Sequence, residues 1–136
     1  MPEIPDANHV LRYCRPSKVD NGVPQESAFE FRPRENYLSV NWMEHNPKIT
    51  SPDKQIEAIR QFIIKKNSLT LSGNGRFARA NVGKVKNLIE GSNVVSKSQR
   101  IDPSYAGIVV SRDEDRHKTL ELANIIKTKD IFPAVD

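Results

Sequence analysis

Residues 68–90, SLTLSGNGRFARANVGKVKNLIE, fit two secondary structures, and the choice between them sets the architecture. Read as strands, Ser68-Leu69-Thr70-Leu71 meets a turn at Gly73-Asn74-Gly75, and Ala78, Ala80 and Val82 share one face of the returning strand. Read as a helix from Arg76, the residues Ala78, Val82, Val85 and Ile89 follow a 3.6-residue period. Asn-Gly between two β-capable runs is a strong hairpin cue, and a glycine inside a helix (Gly83) costs about 1 kcal/mol. The balance favours a hairpin.

The flanking segments are clearer. His9–Cys14 is short and rich in β-formers, so it reads as a strand, and Ala28–Arg32 reads as a second strand stopped by Pro33. Between them, residues 15–25 hold Pro16, Pro24 and the Asp20-Asn21-Gly22 turn signal, as a long loop would. Leu38, Val40 and Trp42 alternate with Ser39 and Asn41, the period of a half-buried antiparallel strand. Ser51-Pro52-Asp53 opens a helix over 52–66: Ile56, Ile59, Phe62 and Ile63 form its apolar face, and Lys65-Lys66 complement its C-terminal dipole. Val94-Val95 reads as a short extended piece and Tyr105–Val110 as a buried strand. Ser111-x-x-Glu114 fits a capping box for a second helix whose apolar face is Leu120, Ala123 and Ile126, with Leu122 and Ile125 beside them, and Asp130–Pro133 fits a docked tail or edge strand. The expected fold is α+β: a mostly antiparallel sheet with two amphipathic helices on one face. The 136 residues are read as one domain, with residues 1–8 as a loose N-terminal arm.

Composition excludes several classes. Cys14 is the only cysteine, so there is no disulfide framework and no cysteine-based zinc site. The longest apolar runs are three residues, far short of the roughly 20 of a membrane span, so no membrane partner is expected. MPEIPDAN has neither the basic nor the apolar region of a secretory signal, so a cytoplasmic setting is expected. The net charge of +4 is uneven, with balances of −1 over residues 1–50, +7 over 51–100 and −2 over 101–136. A shared face for these central cations would attract a polyanion or an acidic protein surface, whereas pairing with the acidic flanks would leave an ordinary solvated surface.

The chemical motifs are mostly dull. Gly73–Ala78 matches G-x-G-x-x-A, but no acid follows about 20 residues later, and a turn explains both glycines. Cys14 could act as a nucleophile with His9, His45 or His117 as base, yet nothing local supports the pairing, and a strand cysteine is usually core. The three scattered histidines give no metal signature, and no cofactor is implied. Two candidate binding sets remain. His9, Arg12, Arg15, Ser39 and Asn41 would form a polar, cationic pocket for a phosphate or carboxylate if their strands pair, with Tyr13 beside them. Arg76, Phe77, Arg79, Lys84 and Lys86 would form a basic surface with one aromatic for stacking on a nucleic-acid strand.

HVLRYCRPSKVDNGVPQESAFEFRP (9–33) and YLSVNW (37–42), with Tyr105-Ala106-Gly107-Ile108 more weakly, resemble stretches of short bacterial proteins from multi-gene defence or mobile-element clusters. The resemblance brings no activity and no catalytic residue; it implies a component of a larger assembly. No proton-transfer machinery accompanies the cations, so the expected function is a small intracellular binding or accessory protein docking onto a protein partner. Nucleic-acid binding through the basic middle segment is the first alternative, and a small enzyme built on a His/Arg pocket the second.

Overall fold

The computed structural model describes residues 2–68 and 70–135. Within residues 68–90 the chain adopts both readings in succession. β5 (Arg76–Asn81) runs directly into α2 (Val82–Leu88), and Asn81 makes the change possible: its side chain accepts the Lys84 N–H (3.0 Å) as the helix N-cap. Val82, Val85 and Ile89 are fully buried at helical spacing. The expected hairpin does not form, although Leu69 lies outside the described residues. β5 is flanked on one side by β1 (His9–Cys14) and on the other by β8 (Ile131–Pro133), so no edge is left for residues 70–71. The Ser72–Gly75 turn closes (Gly75 N–H to the Ser72 carbonyl, 3.0 Å), but neither Asn74 nor Gly75 takes the positive φ that a type I′ hairpin requires. That conformation occurs at the other Asn-Gly: Asn21 (φ 50°) and Gly22 (φ 76°) join β2 (Val19–Asp20) to β3 (Val23–Pro24).

The main sheet is antiparallel throughout, with order β6-β7-β4-β1-β5-β8, where β4 is Leu38–Trp42, β6 Asn93–Ser96 and β7 Tyr105–Val109. The fold is α+β, as expected. The helical segments, however, divide between the two faces. Val10, Val40, Ala78 and Ile108 face a core completed by α2 and Leu122, whereas their neighbours Leu11 and Phe77 face Ile56, Ile59 and Ile63 of α1 (Pro52–Asn67). Both cores are real because β1 and β5 bury alternate residues on opposite sides, as central strands do.

Three other expectations are corrected. Residues 28–32 join no sheet; a 3₁₀ turn (Glu26–Phe29) buries Ala28 and Phe29 instead. The second helix is a 3₁₀ segment (Asp113–Asn124) without a side-chain cap; of its expected apolar side chains Leu122 is buried and Ala123, Ile125 and Ile126 pack half-buried against the same core, while the three-residue period also buries Thr119. The N-terminal arm is not loose: Ile4 is buried, its N–H donates to the Val94 carbonyl, and the Pro2 carbonyl accepts the Ser96 N–H. This pairing covers part of the exposed edge of β6. Among the described residues no helix is long and apolar enough to cross a membrane.

α1 covers only the β1–β5–β8 half of its face, and this decides where a site can form. Beyond Ile63 and Asn67 the face continues over β4 and β7 with Ser39, Asn41 and Tyr105, which α1 leaves open. Phe77 lies under α1 with no exposed surface. Phe77→Ala should therefore lose about 3–5 kcal/mol of unfolding free energy in urea titration; a loss below about 1 kcal/mol would place the ring outside the core.

Candidate functional site

β1 and β4 pair only at Val10–Trp42 and Leu11–Asn41, and beyond that they part. Arg12 fills the gap. Its Nε donates to the Ala28 carbonyl (2.8 Å), and Nη1 donates to the Ser39 carbonyl (2.7 Å) and hydroxyl (3.1 Å). Burial lowers the pKa of this guanidinium, and no carboxylate lies within ion-pair distance of it among the described residues. Nη2 has no protein partner there. An arginine held only by neutral oxygens still lacks a counter-charge.

Arg12 separates two connected hollows that also share Tyr13, Arg32, Ile63 and Asn67. The larger, of about 680 Å³, is rimmed by Arg15, Lys18 and Arg32, with Glu30 the only acid. The smaller, of about 230 Å³, adds Ser39, Asn41, Lys66, Tyr105, Glu35 and Asp102. Lys66 places its ammonium 3.5 Å from the centre of the Tyr105 ring; burial lowers its pKa, against the pull of Asp102 and Glu35. The Tyr105 and Tyr37 hydroxyls are 3.0 Å apart, and burial, then this bond, raises the Tyr105 pKa. Lys97 covers Tyr37 in turn, 4.2 Å from its ring centre.

Of the expected pocket, the fold brings together Arg12, Arg15, Ser39 and Asn41 and leaves out His9. His9 is clasped by Glu44, which accepts from its backbone N–H (2.8 Å) and lies 2.7 Å from Nδ1. It borders a separate depression of about 130 Å³ with Arg79, Lys84, Lys129 and Asp130. The expected basic surface is largely self-satisfied. Arg76 folds back on the Gly73 and Gly75 carbonyls, Arg79 pairs with Asp130 (2.9 Å), and Lys86 pairs with Asp6 (2.9 Å). Phe77 is core and cannot stack on a ligand; Lys84 stays exposed.

Sequence reasoning missed Lys18, Arg32, Lys66, Asp102 and Tyr105. They come from separate segments, and only Asp102-x-Ser104, whose turn bonds the Ser104 N–H to Oδ1, carries a local signal. No histidine lines either hollow, and no group of three or more His, Cys, Asp or Glu among the described residues is placed to hold a metal. No protein family, curated protein or solved structure matches the chain.

Cys14 borders the larger hollow, but burial pushes its thiol from an ordinary 9.0 up to about 12, so little thiolate exists at neutral pH. Iodoacetamide at about pH 8 should leave the folded protein unmodified and label the urea-unfolded chain. The folded state keeps this proton after the unfolded state has lost it. The Cys14 contribution to stability is therefore complete below pH 9 and declines as pH rises towards 12, a decline that Cys14→Ala should remove from alkaline unfolding curves.

Proposed function

We propose that the chain is a binding module that docks onto a protein partner, with Arg12 as the seat for a carboxylate of that partner. The observation that carries this reading is the half-buried guanidinium, without a carboxylate in ion-pair distance, between two hollows rimmed by Arg15, Lys18, Arg32 and Lys66. A planar donor fork matches a carboxylate edge, and in a site shielded from water such a pair is stronger than on the surface. A cytoplasmic setting and membership of a multi-protein bacterial assembly are consistent with it.

Two alternatives fit less well. A nucleic-acid strand requires a continuous stripe of free cations, whereas Arg79 and Lys86 are paired with Asp130 and Asp6, and Glu30, Glu35 and Asp102 interrupt the trench. An enzyme requires a nucleophile with a base in reach, and the trench offers a protonated thiol and no imidazole.

The test is a ¹⁵N-resolved titration with the blocked peptide Gly-Ser-Asp-Ala-Gly-Ser and, separately, with oligothymidylate. The peptide should shift the Arg12 Nε–H and the Ser39 and Asn41 amides, with a log K against log[salt] slope near −1. Arg12→Gln should weaken it by about 30-fold or more, the worth of a charge-assisted bond. Because Arg12 also ties down Ala28 and Ser39, the exposed Arg32→Ser is the companion variant; it should weaken binding several-fold with an unchanged denaturation midpoint. Trench resonances that move only with the oligonucleotide, with a slope of several times −0.7, would replace this reading with the nucleic-acid one.

A further inference from the structure

The smaller hollow holds a second buried charge of opposite sign. Asp102 is 1% exposed, and its carboxylate is held by neutral donors: Ser104 N–H (3.1 Å) and Oγ (2.6 Å) on Oδ1, and Asn41 Nδ2 (2.9 Å) on Oδ2. Among the described residues no Lys, Arg or His lies within ion-pair distance of it. A carboxylate has about four acceptor positions, so Oδ2 retains capacity after the Asn41 bond. Arg12, half-buried, and Asp102, fully buried, thus border one recess of about 230 Å³, neither of them in a direct ion pair, although Lys66 draws on Asp102 and Glu35 on Arg12 from farther off. Burying two ions and leaving both without a counter-charge costs stability that a direct pair would partly return. The arrangement matches a ligand that brings both missing charges.

We propose, building on the docking reading above, that the trench recognises an acid–base pair: an Asp or Glu of the partner on Arg12, and a Lys of the same segment on Asp102. The recess is on the order of 8 Å across if roughly round, and residues two apart in an extended segment point the same way about 7 Å apart, so an Asp-x-Lys spacing spans it. Lys66 and Arg12 discourage a lone cation, and Glu35 with Asp102 discourages a second acid, so each half of the recess rejects the wrong sign.

Three blocked peptides test the pair on the wild-type protein: Gly-Ser-Asp-Gly-Lys-Ser, the same peptide with acetyl-lysine, and the same peptide with alanine for lysine. The charged pair should bind about tenfold more tightly than the other two, which should bind alike. Asp102→Asn preserves the shape and should abolish the advantage, so that the variant binds the three peptides alike. If that variant does not fold, the acetyl-lysine comparison on the wild-type chain decides alone. Equal affinity of all three peptides, or an advantage that survives Asp102→Asn, overturns the pair and leaves the Arg12 seat standing. If no acidic peptide moves a trench resonance, the docking reading itself fails and the pair with it.

Discussion

The parting of β1 from β4 after Leu11 is the constraint from which the site follows. Two paired strands would satisfy their own carbonyls and leave no gap. Here the Ala28 and Ser39 carbonyls turn to a guanidinium instead, and Arg12 holds the opening as a wedge that is also a charge. The same residue therefore does structural work with Nε and Nη1 and leaves Nη2 without a protein partner among the described residues. A structural arginine would more economically face a carboxylate; one held by neutral oxygens keeps its field for something else.

The extent of α1 places that charge at a boundary. Its apolar face, Ile56, Ile59 and Ile63, seals Leu11 and Phe77, and Arg60 at its middle donates to the Pro133 and Ala134 carbonyls to hold the C-terminal strand. Nothing equivalent covers β4 and β7 on that side. The residues they present there are accordingly polar (Ser39, Asn41, Tyr105), and Lys66 and Lys97 lie over tyrosine rings rather than over an apolar layer. The trench is the step between a covered and an uncovered half of one sheet.

The surplus positive charge of the central segment has a different fate. Arg79 and Lys86 meet Asp130 and Asp6, which come from opposite ends of the chain. Such pairs on or near a surface are worth little stability, typically below about 1 kcal/mol, but they remove the field that a polyanion would follow. Most of the cations that matter to the trench come instead from residues 12–32, where the sequence balance looks unremarkable; of the basic middle segment only Lys66, at the end of α1, joins them.

Elements whose signal is local were legible in the residues: α1 from its proline start and isoleucine spacing, β4 from strict alternation, and β6 and β7 from short apolar runs. Arg12, Ser39 and Asn41 stand out in the same way, because a cation or polar group interrupting an apolar strand is visible one residue at a time. Two Asn-Gly pairs, by contrast, carry the same cue, and only tertiary pairing separated them. Residues 20–23 had no other neighbour and closed on themselves, while the strand after Asn74-Gly75 was taken on both edges by β1 and β8. His9 left the expected pocket and Lys66, Asp102 and Tyr105 entered it for the same reason: side-chain identity is written along the chain, but which charge stands beside which is set by strand order and by where a helix stops covering a sheet.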